Sequence, residues 1–466
     1  MYKPYSTPIA KAYQNIKVPQ SRISKPIVFL IKLLGRIYLF MFLGIAKVTL
    51  RGETHFFRAF ERALRGKSRC VLAFRHPNGG EPQILTWFII FRLKSLAKKA
   101  GISFARQPHA RFIYGYDVLR WGGWVARLVM PGVGAMPIHH TKLDSKGMVR
   151  IFQSLKNGPY PLAIAPEGQV TYNTEQVLNL EQGAMRIGFH SADQLRKEGR
   201  PHPVEALPVS IHLRYGVWGK ICLPWLMNRL DRATGFRDRY KKEGKPDFSR
   251  RLRNLREYLI AQNEARYGLG AASLPDQGEV SSPDGEGNLQ ARIDGITDAA
   301  IGRAKKILGF NGLGSNTADW INELRQICWD RIYLPDKETL EDLSQVERSL
   351  LDLRAGEAWH AGRHIELADF LRFFRSPLPE EDTPLHLKIE YAQNLWDLAN
   401  RTMGGSYSTR NINIFPRQVI IQAAEPINLT DRLPDYHQDR KAAIQSAMDD
   451  LLKAYLNCIE EANKTG

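Results

Sequence analysis

Apolar and polar positions along this chain follow two different periods, and the change of period divides it. Short apolar runs at residues 47–52, 71–74, 101–106, 161–165 and 204–213 read as strands. Between them, residues 54–64, 84–99, 148–156 and 177–194 carry the 3.6-residue repeat of helices. Strands and helices alternating at this spacing predict an α/β fold: a central, mostly parallel sheet flanked by helices. From Trp225 to about Met403 the pattern is helical, with helices expected at 249–265, 289–308, 317–332, 337–353 and 385–399. A polar stretch at 275–288 reads as a mobile loop. Strand character returns at 417–423, followed by a helix from 439 to 461. A lone strand is not stable by itself. It is therefore expected to complete the earlier sheet, which makes residues 47–224 and 413–466 one core and 225–412 a large all-helical insertion.

Ahead of the first strand, residues 26–46 form the longest apolar tract of the chain. Lys32 and Arg36 interrupt it, so a clean membrane span of about 20 apolar residues is missing. Both cations can snorkel and the aromatic residues suit an interface. The tract thus predicts an amphipathic helix lying in the headgroup layer, within a basic membrane-associating segment, 1–46. The competing expectation is a helix packed on the protein's own core. A long polar stretch before the tract and no small-residue cleavage site after it argue against a signal peptide.

Charge sharpens this picture. The net charge is +18, and the first sixty residues hold ten Lys and Arg against one acid, Glu53. That balance favours anionic partners: a phospholipid surface, an acidic carrier or nucleic acid. The four cysteines, Cys70, Cys222, Cys328 and Cys458, show no C-x-x-C spacing, which points to a reducing compartment without a disulfide frame or a zinc site.

The candidate chemistry sits at strand ends. His76 follows the run Val71-Leu72-Ala73-Phe74, and Glu81 lies beyond the turn Pro77-Asn78-Gly79-Gly80. A histidine at the C-terminal end of a strand is well placed to act as a base near neutral pH. The turn can fold Glu81 back onto the imidazole, fixing its tautomer, while Gly79 and Gly80 can offer N–H groups to an oxyanion. The alternative is that His76 and Glu81 are cap and turn residues. No Ser or Cys lies in the turn, which argues for direct attack by an activated substrate hydroxyl. The run 161–165 likewise ends in Pro166-Glu167-Gly168, so two such strand ends would converge on one face. Arg106 is a candidate phosphate contact. His109, His139 and His140 lack a carboxylate or cysteine at ligand spacing, and no metal is assigned. The cluster Arg250-Arg251-Leu252-Arg253-Asn254-Leu255-Arg256 reads as a solvated basic helix face, or alternatively as a dock for an acidic acyl carrier or a lipid surface.

The order of these segments resembles the glycerolipid acyltransferase family, typified by bacterial 1-acylglycerol-3-phosphate acyltransferases. That family carries a His-x4-Asp block, a Gly-aliphatic-Arg block, a Pro-Glu-Gly-Thr block and an apolar-Pro block. Here stand His76…Glu81, Gly134-Ala135-Met136-Pro137-Ile138-His139-His140, Pro166-Glu167-Gly168-Gln169 and Ala206-Leu207-Pro208-Val209. The resemblance covers residues 45–215 and 415–460. It implies acyl transfer from acyl-coenzyme A or acyl carrier protein to a glycerolipid hydroxyl at the cytoplasmic face of a membrane, with no bound cofactor. His76 would be the base and Glu81 its orienting partner. Glu167, Gly168 and Gln169 would line the acceptor's phosphate side, with His139, His140 or Lys142 near the position of the family's arginine. The sequence departs from the pattern at Glu81, at Gln169 and at the missing arginine. Two further readings compete: a lipid-binding or scaffold protein that kept the fold, and a basic nucleic-acid binder, for which no recognition motif is present.

Overall fold

The structure, a computed structural model, describes residues 11–15, 20–116, 118–139, 144–200, 202–270, 286–312, 316–335, 339–403 and 416–464. His140, Lys142 and most of the 275–288 stretch lie outside the described residues. The chain divides into two units, residues 18–218 with 413–466 and residues 1–17 with 219–412.

The first unit is an α/β structure around one eight-stranded sheet. Its strands are β1 (Ile45–Arg51), β2 (Arg69–Phe74), β3 (Arg111–Gly115), β4 (Met136–Ile138), β5 (Leu162–Ile164), β6 (Val204–Tyr215), β7 (Arg417–Ala423) and β8 (Ile427–Asn428). The order is β1-β7-β6-β2-β5-β3-β4, with β8 beside β6. Strands β2 to β6 run parallel, whereas β7 pairs with β6 in the antiparallel sense and with β1 in parallel. The strand expected at 417–423 thus does join the earlier sheet. Because of this reversal, β1 and β7 begin at the sheet end where β2, β5 and β6 finish. The central β2 is buried along its whole length, as expected for a strand covered on both faces.

Three strands, β3, β4 and the two-residue β8, were not apparent in the sequence. β3 and β4 are only five and three residues long. The stretch 102–106 is not a strand: Ile102 N–H donates to Ala97 O, ending the helix before it. That helix runs from Glu81 to Lys99 through a single π turn at Phe88–Arg92. One side of the sheet is covered by the helices Ser145–Asn157, Gly183–Lys197 and Arg440–Lys464, whose Ile151, Phe189, Met448 and Tyr455 share a core with Val71 and Leu162.

Helix Lys25–Leu43 has the length and apolarity to cross a membrane, with mean hydropathy 2.0 and 6% of its most apolar window buried. Phe29, Leu33, Ile37 and Met41 recur every fourth residue and are 58–65% exposed. Leu39 faces inward, and Gly35 lies so close to Trp87 that a Cβ there would meet the indole at 2.5 Å. The two interrupting cations bond to the protein: Lys32 Nζ donates to Gln107 Oε1 (3.0 Å), and Arg36 to the carbonyls of Ile45 (2.7 Å) and Ala46 (2.6 Å).

In the second unit the described elements from residue 219 onward are helical, with helices Phe236–Glu243, Phe248–Tyr267, Glu286–Leu308, Thr317–Ile332, Gln345–Phe373 and Leu385–Thr402. Helix Gln345–Phe373 is much longer than the expected 337–353. Its Ala355, Ala358, Ala361, Ile365 and Ala368 form a stripe against Ala300, Ala304, Ile321 and Leu324. Residues at the front of the expected 1–46 segment belong here. Tyr13 pairs with Tyr333, and Ala12 is buried in the same core. Nor is the arginine cluster at 250–256 wholly solvated: Arg251 is buried and ion-paired to Asp231 at 2.5 Å.

Candidate active site

Strand β2 ends at Phe74, and Arg75 still bonds the sheet through its N–H to Val209 O (2.9 Å). The next residue, His76, leaves the sheet at its C-terminal edge. Proline and two glycines follow, and Gly79 takes a left-handed backbone (φ 95°) that few other residues adopt without strain. The turn brings Glu81, the first residue of the following helix, under the imidazole. His76 Nδ1 and Glu81 Oε2 are 2.7 Å apart, and the same oxygen accepts the N–H of Gly79 at 2.8 Å. The Glu81 side chain is 1% exposed and that of His76 18% exposed, so the imidazole is reachable from solvent and its carboxylate partner is not. An ionised carboxylate only accepts, so with Glu81 charged the proton in this contact sits on Nδ1, and a neutral ring then leaves Nε2 with its lone pair. This corrects one expectation: the Gly79 N–H serves Glu81 rather than an oxyanion.

Glu167 is also placed differently from the expectation. Its carboxylate is fully buried, accepting from Arg75 Nε and Nη2 (both 3.1 Å) and from the main-chain N–H of His76. Arg75, likewise fully buried, donates further to the carbonyls of Asn173 (2.9 Å), Thr174 (2.5 Å) and Gln176 (2.7 Å). Thr171 N–H in turn donates to His76 O at 3.2 Å. Both main-chain polar groups of His76 are therefore held by the Glu167–Thr171 turn. Glu167 faces this brace rather than an acceptor pocket. In sequence Arg75 reads as one more cation on a basic chain, and only its place between a fully apolar strand and the histidine sets it apart.

Gly168 and Gln169 form the outward part of the same turn. Gly168 is exposed and left-handed (φ 73°), and a Cβ there would collide with the Glu181 carboxylate. Two strands further along the same edge from β5, beyond β3, β4 delivers His139, whose ring stacks on Tyr116 with centroids 3.8 Å apart. Its main-chain N–H donates to Asp144 Oδ2 at 3.3 Å. Arg106 does not join this edge. It is exposed in the loop leading into the start of β3, whereas His76 departs from the end of β2. His109 is a core residue, bonded through Nε2 to Val133 O at 2.7 Å, and its burial lowers its pKa. Among the described residues, no group of three or more His, Cys, Asp or Glu stands together as a metal site.

No family model matches this sequence, and no curated protein matches it. A neutral imidazole with one nitrogen tied to a buried carboxylate and the other free can take a proton from a bound hydroxyl and return it to a leaving group.

Proposed function

We propose that this protein is a membrane-associated acyltransferase that moves a fatty acyl group from an acyl-coenzyme A or acyl carrier protein thioester to a glycerolipid hydroxyl. The best candidate acceptor is a 1-acylglycerol 3-phosphate. The observation that carries the reading is the 2.7 Å contact between His76 Nδ1 and Glu81 Oε2 at the C-terminal edge of a largely parallel sheet. The longer Glu side chain still reaches the imidazole, so replacing the family's aspartate leaves the pair intact.

In this reading His76 Nε2 removes the hydroxyl proton as the oxygen attacks the thioester carbonyl. The tetrahedral intermediate expels the thiolate, which takes the proton from the imidazolium. The products are the ester and the free thiol, and Glu81 offsets the transient charge on the ring. Gln169 and His139 are the described candidates for contacting the acceptor.

Helix Lys25–Leu43 fits a monotopic seat on the cytoplasmic leaflet. Nineteen residues rise about 28 Å, and one face is committed to protein contacts while the other is a continuous apolar row. With Lys32 and Arg36 bonded inward, the helix is better suited to lie against lipid than to cross it. The helices of residues 219–412 would then be an insertion carried by the acyltransferase core.

The test is incubation with a panel of acyl thioesters and lysolipids in vesicles, with products read by mass spectrometry. Acyl transfer by the wild type and its loss in His76→Ala is the expected result. No transfer by the wild type to any acceptor, or undiminished transfer by the variant, would refute the assignment.

A further inference from the structure

Arg417, the first residue of β7, lies 374 positions after Leu43 in the chain yet bonds to its carbonyl. It is 2% exposed. Its main-chain N–H donates to Gly44 O (2.8 Å) and its Nε to Leu43 O (2.7 Å). Gly44 is the left-handed residue that ends helix Lys25–Leu43, so the guanidinium sits on a carbonyl of that helix's last turn. Carbonyls there lack intrahelical donors, and a cation beside them is favoured by the helix dipole. The other arm of the same guanidinium, Nη1, donates to Asn78 Oδ1 at 3.3 Å.

Asn78 is buried in the turn between His76 and Glu81, and its neighbour Gly79 donates the N–H that fixes Glu81 Oε2. A continuous bonded path therefore runs from Leu43 O through Arg417, Asn78, Gly79 and Glu81 to His76 Nδ1. A second contact runs beside it. Leu43 Cδ1 is 3.4 Å from where a Cβ would stand on Gly80. The helix end and the turn thus touch through both polar and apolar groups.

We propose that Arg417 is a positioning residue for the His76–Glu81 pair, holding the 77–80 turn in register with the end of the apolar helix. The geometry of the pair then depends on where that helix is seated. A planar guanidinium with separate donors can hold both partners at once, and a lysine ammonium on a flexible stem does not reproduce that fork. The proposal rests on reading His76 as the base and Glu81 as its partner.

Two variants separate positioning from folding. Asn78→Ala removes the arm to the turn and leaves the hold on the helix; Arg417→Lys keeps the charge and loses the fork. Two measurements are made on full-length protein: acyl transfer in vesicles, and the ¹H–¹⁵N spectrum of ring-labelled histidines, with His76→Gln identifying the His76 signals. In the wild type the His76 ring is expected to show a single tautomer, protonated at Nδ1. In Asn78→Ala the signals should move toward a mixture of tautomers, with kcat lowered roughly ten- to a hundredfold. KM should change by no more than about twofold, since ground-state binding is untouched. If Arg417→Lys does not fold, Asn78→Ala decides alone. An unchanged His76 spectrum and kcat in that variant overturn the proposal. The two ideas fail separately. A shifted spectrum in a protein without transferase activity keeps the positioning role and removes the reaction. An unchanged spectrum in an enzyme inactivated by His76→Ala does the reverse.

Discussion

Glu167 holds the main-chain N–H of His76 with one carboxylate oxygen and the guanidinium of Arg75 with the other. All three groups lie at the point where β2 leaves the sheet. A buried ion pair of this kind adds little net stability compared with an apolar pair, but loss of one member leaves an uncompensated buried charge. Glu167→Gln, which keeps the shape and removes the charge, should lower stability by about 3–5 kcal/mol, read as a fall in the urea midpoint. Arg75→Met should cost at least as much, because the carbonyls of Asn173, Thr174 and Gln176 lose their donor as well.

Glu81 is fitted to its turn. Its first-turn position and extra methylene bring Oε2 to 2.7 Å from the imidazole. Glu81→Asp, which shortens the side chain by one methylene, should therefore reduce the kcat of the proposed acyl transfer, by roughly tenfold or more. Glu81→Gln should reduce it further, since an amide does not offset the charge of an imidazolium. Steady-state rates of acyl transfer distinguish the two. A rate gain in Glu81→Asp would mean that the turn relaxes freely.

Gly52 carries a separate structural demand. It has φ +65°, and a Cβ there would stand 2.0 Å from Ala423 O, a backbone atom at the end of β7. Gly66 has φ +73° with nothing within 4 Å of the equivalent position. Gly66→Ala should cost only the left-handed strain, about 1–2 kcal/mol. Gly52→Ala should cost clearly more, because β1 and β7 must also move apart. Thermal unfolding of the two variants side by side gives the comparison.

Asp193 supplies a pH signature. Its burial opposes charge, but bonds from Lys197 (2.7 Å) and His437 (2.8 Å) outweigh this and hold its pKa below the ordinary 3.8. A carboxyl with a depressed folded pKa stabilises the fold above its unfolded pKa and loses that contribution as pH falls through the folded one. Asp193→Asn should thus be less stable than wild type at pH 7. The gap should narrow below about pH 4, as urea titrations at several pH values would show. A gap that persists undiminished at lower pH would assign the loss to packing instead.

The parts of this fold visible in the sequence are those with strong periodicity. β2, β5, β6 and β7 stand out as apolar runs, and the His76 and Glu167 turns are marked by proline and glycine. β3 begins at an arginine and ends at a glycine, and β4 is three residues long with a central proline, so no long run announces either. Ile102-Ser103-Phe104-Ala105 alternates like a strand, but its first N–H is used to close the preceding helix. In the site, the His76–Glu81 pairing follows from a turn whose geometry a sequence can suggest. The inward role of Glu167 and the reach of Arg417 depend on partners 91 and 374 positions away. No local pattern encodes them.

The placement of β1 bears on how the molecule is made. Its partner in the sheet is β7, with Thr49 opposite Ile420. On a ribosome, the apolar helix and β1 emerge before residues 219–412, and both wait for that stretch to be synthesised before the strand that covers β1 exists. Closing so long a loop costs only slightly more entropy than closing a shorter one, so the delay is one of time rather than of equilibrium. During that interval an unpaired strand and a greasy helix are exposed together on the nascent chain. Early capture by a lipid surface or a chaperone would shield them until the final strand arrives.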